Sequence, residues 1–315
     1  MKFTIYNEDC VTGMASHLDP DSVDLCVTSI PFGQLFMYSG KKEDIGNNQD
    51  GVDMEEGQFG LHMRFFCEQL FRVVKPGHNV CIHIQQLLAY KNQHGWMGRR
   101  DFRNAVIFMF REAGFAWTGE VCIPKNPQAM AQRLSLHSLM FVTGKRNSRD
   151  WAPAVNDFII IFQRPGEAAP CRALWDAEVN REGWMGTEQW IKWASGVWDD
   201  IREIDVLDGY RSARETDEER HVCPLQLSVI FRLLSMYSAP GELVLDPFMG
   251  IGSSAYVAVG GKTFDGTLTA ERAAVGFELK ESYFALAIRN LEKLERDRKE
   301  AAEQDLFAQN TNGIS

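Results

Sequence analysis

The stretch "GELVLDPFMGIGSSAYVAVGG", residues 241–261, admits few folds. Leu243, Val244 and Leu245 read as a short buried strand, Asp246 and Pro247 close it, and Gly250 and Gly252 make a tight turn. The small residues from Ser253 onward then start a helix. A glycine turn lets a ligand approach the backbone closely, and a helix start offers free N–H groups to an anion. Gly250-Ile251-Gly252-Ser253-Ser254-Ala255 also meets the loose G-x-G-x-x-G/A pattern for dinucleotides, although a turn that merely joins a strand to a helix can meet it too.

Two details separate the possible ligands. In a dinucleotide site the strand runs straight into the first glycine, whereas Asp246-Pro247-Phe248-Met249 intervenes here. An acid at the strand tip repels a pyrophosphate but suits the ammonium group of a methionine moiety. A second strand, "AVGFE", ends 26 residues beyond Gly252 at Glu278, whose carboxylate can accept both hydroxyls of an adenosine ribose. S-adenosylmethionine has an ammonium, a carboxylate and a ribose. Asp246, the turn with Ser253, and Glu278 meet those needs in order.

A second feature lies near the start of the chain. "VDLCVTSIPF", residues 23–32, is a buried strand handing over to a rigid proline and an aromatic ring. Such an ending suits a flat ligand, which Phe32 can stack against. An ordinary surface Pro-Phe turn is the alternative.

Together these segments resemble a known family. "DPFMGIGSS" is similar to the "DPFxGxGTT" signature of DNA methyltransferases that act on exocyclic amino groups, and "HVCPLQLSVIFRLLSMYSAPGELVLDPF" is similar to its helix-then-strand lead-in. "SIPF" resembles the family's "(D/N/S)PP(Y/F)" tetrapeptide. The tetrapeptide comes first and the cofactor motif last, as in the circularly permuted β-type members, whose recognition region lies between. The resemblance covers residues 1–37 and 221–293 well, the strands between them loosely, and 167–220 hardly at all.

That resemblance implies a doubly wound, mostly parallel α/β sheet of the S-adenosylmethionine-dependent methyltransferase type, with the strands bearing Ser29 and Asp246 side by side. It implies a cofactor site at Asp9, Asp246, Pro247, Phe248, Gly250, Gly252, Ser253 and Glu278, with Asp9 of "NEDC" meeting the cofactor's adenine amino group. It also implies a catalytic site at Ser29, Ile30, Pro31 and Phe32. There Ser29 Oγ and a backbone carbonyl of the turn accept hydrogen bonds from the base's amino group and localise its lone pair. Ile30 departs from the family: it replaces the first proline, so the carbonyl survives and the turn loses rigidity. Ser at the first position leans toward cytosine N4, although some Ser-containing members modify adenine. Methylation of a nitrogen in RNA or protein, or a silent DNA-binding fold, are the competing readings. A carbon-5 cytosine mechanism would need a cysteine after a proline, and Pro170-Cys171 lies outside any strand end.

The core is expected in two parts, residues 1–166 as the catalytic half and 221–293 as the cofactor-binding half, with a helical end and frayed tail over 294–315. Residues 167–220 hold five of the eight tryptophans and read as a target-recognition insert. Within 1–166, "TGEVCIP", "SLMFVT" and "NDFIIIFQRPG" read as strands. The net charge of −10 argues against an indiscriminate polyanion binder, yet residues 86–150 carry ten Lys/Arg against four Asp/Glu. Arg99, Arg100, Arg103, Lys125, Arg133, Lys145, Arg146 and Arg149 are therefore candidate phosphate contacts.

The seven dispersed cysteines contain no Cys-x-x-Cys pair and the seven histidines no ligand spacing, so neither a disulfide framework nor a metal site is expected. No apolar run approaches the length of a membrane span, and "MKFTIYNEDC" enters a strand at once, which points to the cytoplasm. Gln304, Leu306 and Phe307 in "EQDLF" faintly resemble sliding-clamp-binding peptides, with an incidental apolar pair as the alternative. A homodimer is compatible with all of this.

Overall fold

All six residues of "VDLCVT", Asp24 and Thr28 included, are buried, because the strand is covered on both faces. In the computed structural model, which describes residues 2–32, 45, 58–133, 140–171, 187–209, 224–268 and 271–312, this segment is the centre of the sheet. The first half of the chain gives β1 (Phe3–Tyr6), α1 (Cys10–His17), β2 (Val23–Ser29), α2 (Gln58–Val73), β3 (Val74–Gln85), β4 (Leu87–Ala89), α3 (Lys91–His94), β5 (Gly98–Arg100) and α4 (Phe102–Glu112). Next come β6 (Ala116–Ile123), α5 (Pro127–Arg133), α6 (Phe141–Arg146), β7 (Asp157–Gln163) and α7 (Thr187–Ala194). The last part gives α8 (Leu227–Tyr237), β8 (Leu243–Asp246), α9 (Ser253–Ala258), β9 (Ala273–Phe277) and α10 (Glu281–Asn312).

Seven strands form one sheet in the order β1-β9-β8-β2-β3-β7-β6, and β4 and β5 pair apart. Strands β1, β9, β8, β2 and β3 run parallel, and β7 runs against both β3 and β6. Alternate residues feed two cores. Leu25 and Val27 of β2 pack with Val229, Leu233, Val257 and Leu286 from α8, α9 and α10. Cys26 faces Met14, Met63, Phe66, Val106 and Phe110 from α1, α2 and α4 on the other side. The parallel pairing of β2 with β8 places Ser29 and Asp246 on the same edge, as the sequence predicts.

Helix α2 follows from apolar residues at helical spacing: Phe59, Met63, Phe66, Leu70 and Val73 are all buried. The chain turns directly into β3 at Val74, with Pro76 and Gly77 inside the strand. Cys10, Cys26, Cys67 and Cys81 are buried free thiols, and burial pushes each thiol up. Cys223 lies outside the described residues.

One expectation is corrected. Residues 141–143 of "SLMFVT" belong to helix α6 and are not a strand, while 138 and 139 lie outside the described residues. Phe141 and Val142 are 80% and 65% exposed, so no sheet neighbour holds them extended. Helix α10, the expected helical end, runs through Asn312. Its Ala, Glu, Lys, Arg and Leu content favours helix, and Arg298 ties the helix back to the body through the Val259 carbonyl and Glu271.

In the tryptophan-rich stretch, Trp198 lies in the core that contains Leu25 and Val229. Its backbone N–H donates to the Cys122 carbonyl at 2.9 Å, and its indole N–H to the Trp193 carbonyl at 2.9 Å. Arg232 of α8 covers both rings and pairs with Asp200 at 2.6 Å. Residues 187–209 are thus fastened to the sheet, whereas 172–186 and 210–223 lie outside the described residues. No described helix is long and apolar enough to cross a membrane.

Candidate active site

Because five strands run parallel, their carboxyl ends meet along one edge. That edge carries, in spatial order, the turn after β1 with Asp9, Glu278 after β9, Asp246 at the end of β8, Ser29 at the end of β2, and His83 near the end of β3. Strand β7 is reversed, so its first residue, Asp157, joins the same edge.

Asp246 is buried. Its Oδ1 accepts from Thr28 Oγ1 at 2.5 Å and from the Phe248 backbone N–H at 3.1 Å. Burial pushes its carboxyl up to about 6, against the hydrogen bonds of Thr28, Ser254 and Phe248, which pull the other way. No Lys, Arg or His among the described residues pairs with it. A buried carboxylate without a cation is costly, and a bound ammonium group removes that cost.

The turn after Asp246 is held by backbone bonds from Met249 N to the Phe277 carbonyl and from Gly252 N to the Met249 carbonyl. Gly250 and Gly252 both have positive φ, 55° and 91°, which explains the two glycines. Ser253 Oγ is buried with no described hydrogen-bond partner. Ser254 Oγ donates to the Val27 carbonyl at 3.3 Å and fastens α9 to β2.

Glu278 accepts from the backbone N–H groups of Gly250 and Lys280, each at 2.8 Å. Its own carbonyl accepts from Asn7 Nδ2 at 2.7 Å, linking the ends of β1 and β9. Asp9 caps α1: Oδ1 accepts from Val11 N at 3.0 Å and from Thr12 N at 2.9 Å. Among the described residues Asp246 has no cation and Ser253 Oγ no hydrogen-bond partner, and the two fit a ligand that brings a cation and an acceptor.

At the other end of the edge, Ile30 is buried and fills the core beside Met14 and Phe59. The substitution of the family's first proline is therefore a packing residue in this chain. Phe32 is half-buried, its ring edge-on to His83 at 5.7 Å between centroids. Ser29 Oγ lies 2.8 Å from His83 Nδ1. Sequence reasoning missed Thr28, His83 and Asp157. The signal available was a polar residue at the carboxyl end of an otherwise apolar strand, as His83 is in "NVCIHI".

The basic candidates divide. Lys125 is corrected: its side chain is 4% exposed and pairs with Asp157 at 2.7 Å, so it cannot reach a phosphate. Arg103 pairs its guanidinium with Glu120 and lies over the Trp117 ring. Arg99 is exposed and donates to the carbonyls of Pro153 and Ala154 at 2.9 and 2.8 Å. Lys145, Arg146 and Arg149 are exposed and Arg100 is half-exposed, none with a described carboxylate partner. The Arg133 side chain lies outside the described residues, as do those of Leu306 and Phe307, while Gln304 is exposed on α10.

A seven-stranded sheet with one reversed strand, helices on both faces and a glycine turn at its carboxyl edge is the S-adenosylmethionine-dependent methyltransferase fold. A DNA methylase family model matches residues 23–289, and the chain belongs to that family. It is 27% identical over 128 residues to the type II methyltransferase M.MthZI of Methanothermobacter thermautotrophicus. That match takes in 41% of this chain and 32% of the relative, so the chain matches about a third of its length. A Thermus thermophilus protein, TTHA0409, described as a putative DNA modification methylase and solved with S-adenosyl-L-methionine, superposes with a TM-score of 0.62 at 20% identity, covering 92% of this chain and 93% of that one. The cytosine-N4-specific PvuII DNA methyltransferase superposes with a TM-score of 0.57 at 17% identity, covering 91% and 86%.

Proposed function

We propose that the protein transfers a methyl group from S-adenosylmethionine to the exocyclic amino nitrogen of a cytosine or adenine flipped out of DNA. The observation that carries this is the shared edge of β2 and β8, where the Ser29 turn and the buried Asp246 carboxylate, which no described cation pairs with, lie on neighbouring strands within one DNA methylase chain.

In this assignment Asp246 receives the cofactor's ammonium group, Ser253 and the turn of Gly250 and Gly252 its carboxylate, and Glu278 its ribose. Pro247 and Phe248 shape the turn, and Asp9 lies toward the adenine. When bound, the cofactor would supply an electrophilic methyl group within reach of the amino nitrogen held at Ser29. Ser29 Oγ and the carbonyl at Ser29–Ile30 accept from the amino hydrogens and favour a pyramidal nitrogen. Phe32 stacks on the base. No covalent enzyme intermediate is needed, so catalysis rests on positioning.

Flipping the base costs a few kcal/mol, which contacts to the duplex offset. Arg99, Arg100, Lys145, Arg146 and Arg149 are assigned to the phosphates, and residues 167–220 to reading the sequence. The test is incubation with mixed-sequence duplex DNA and methyl-labelled S-adenosylmethionine, beside RNA and protein controls. Label in DNA alone supports the assignment; label in RNA or protein alone refutes it.

A further inference from the structure

Ser29, as a hydroxyl, can either donate a hydrogen bond to a base or accept one from it. The surroundings of His83 remove that ambiguity. Strands β2 and β3 pair in parallel with Ser29 opposite His83, and β7 lies beyond β3 with Asp157 opposite Gln85. The register makes a row from half-buried Ser29 to three buried side chains: Ser29 Oγ to His83 Nδ1 at 2.8 Å, His83 Nε2 to Asp157 Oδ2 at 3.2 Å, and Asp157 Oδ2 to Lys125 Nζ at 2.7 Å. Gln85 Nε2 donates to the other Asp157 oxygen at 2.9 Å.

Burial alone would push the Asp157 carboxyl up, but His83 and Lys125 outweigh it and hold it at about 2. Asp157 is thus ionised and can only accept hydrogen bonds. His83 Nε2 is buried and makes no well-aligned hydrogen bond among the described residues, and the Asp157 Oδ2 carboxylate oxygen lies 3.2 Å from it. A bare ring nitrogen facing a carboxylate would repel it, so Nε2 carries the proton. In a neutral imidazole Nδ1 is then bare and takes the Ser29 hydroxyl hydrogen.

We propose that His83 is a positioning residue, locked by Asp157 and Lys125 as the Nε2–H tautomer, which draws the Ser29 proton away from the pocket. Ser29 Oγ then presents only lone pairs to the substrate's amino group. Resting on the methyltransferase reading above, the same row gives the reaction's proton a path. The methylated nitrogen releases one proton to Ser29 Oγ while the Ser29 hydroxyl proton passes to His83 Nδ1. The imidazolium so formed faces the Asp157 carboxylate. Lys125 already balances that carboxylate, which limits the imidazolium's stability and favours passing the proton on to water.

A proton on both His83 nitrogens would reverse the polarity. Once His83 holds two protons, Nδ1–H donates to Ser29 Oγ, and the hydroxyl turns its hydrogen toward the substrate. The groups facing His83 are Ser29 from β2, Gln85 from β3, Asp157 from β7, Lys125 from the segment after β6, and the Phe32 ring edge.

The experiment has two readouts. Nitrogen-15 histidine NMR of the intact wild-type protein reports the tautomer, with the His83 signal identified by its loss in His83→Asn and its shift in Ser29→Ala. The Nε2–H form is expected, and the Nδ1–H form would overturn the proposal. Single-turnover methyl transfer to DNA is then followed against pH. His83→Asn keeps an acceptor near Ser29 but cannot take up a proton. It should be slower by about 10²-fold, bind S-adenosylmethionine as the wild type does, and lose the acid limb of the profile. An unchanged rate and profile would also sink the proposal. Wild-type protein that methylates nothing would instead refute the methyltransferase reading, and the tautomer would still decide the state of His83.

Discussion

Thr28 Oγ1 donates to Asp246 Oδ1 at 2.5 Å, joining the strand that ends in Ser29 to the strand that ends at the glycine turn. One residue beyond that bond on β2 is the group assigned to the base, and the bonded carboxylate itself is assigned to the cofactor. The two halves of the site are therefore coupled through neighbouring strands, although 217 positions separate Ser29 from Asp246 in sequence.

Asp246 carries a cost that ligand binding relieves. Its folded carboxyl sits at about 6 against an ordinary 3.8, so its contribution to stability is complete below pH 4 and is lost as pH rises through 6. The hydrogen bonds from Thr28 and Phe248 go to Oδ1, which Asn can keep. Asp246→Asn should therefore be more stable than wild type at pH 8, by up to about 3 kcal/mol, and no more stable at pH 4. It should also lose S-adenosylmethionine binding. Denaturant melts at the two pH values and calorimetry check both parts.

Phe32→Ala should lower methyl transfer by tenfold or more, on the order of the 1.4 kcal/mol that one stacked base is worth, with cofactor affinity unchanged. Equal loss of both in kinetics and calorimetry would make Phe32 a structural residue.

Gly276 lies where a Cβ would overlap the Met249 methyl group and stand 3.0 Å from the Asp246 carbonyl. Gly276→Ala should cost about 1–3 kcal/mol in a denaturant melt and weaken cofactor binding, because Met249 belongs to the turn.

The cations separate by burial. Lys145→Ala and Arg146→Ala should each reduce the salt slope of DNA binding by about 1 and leave stability unchanged. Lys125→Met should do the reverse, removing about 3 kcal/mol of stability by stranding Asp157. Salt titrations and thermal melts of the three variants decide this.

The sequence made the centre of the molecule legible and its periphery less so. Apolar runs covered on both faces, such as residues 23–28 and 159–162, announce buried strands, and Gly250 and Gly252 announce a turn that only glycine satisfies. Asp246 stood out because an acid at a strand tip conflicts with the dinucleotide pattern. His83 did not, because a single histidine in a strand has no meaning until β2 and β7 are known to flank it. Lys125 misled for the same reason: its positive charge is visible in sequence, whereas Asp157, 32 positions away, cancels it only in the fold. Phe141 to Thr143 read as strand from their apolar character, yet among the described residues no neighbouring strand pairs with them.

The most direct measurement digests DNA treated with the protein and methyl-labelled S-adenosylmethionine to nucleosides, and identifies the labelled species by mass spectrometry. Labelled N4-methylcytosine or N6-methyladenine is the predicted product, absent with Ser29→Ala. Label at cytosine carbon 5, or no label from a protein that still binds the cofactor, would contradict transfer to an amino nitrogen held by Ser29.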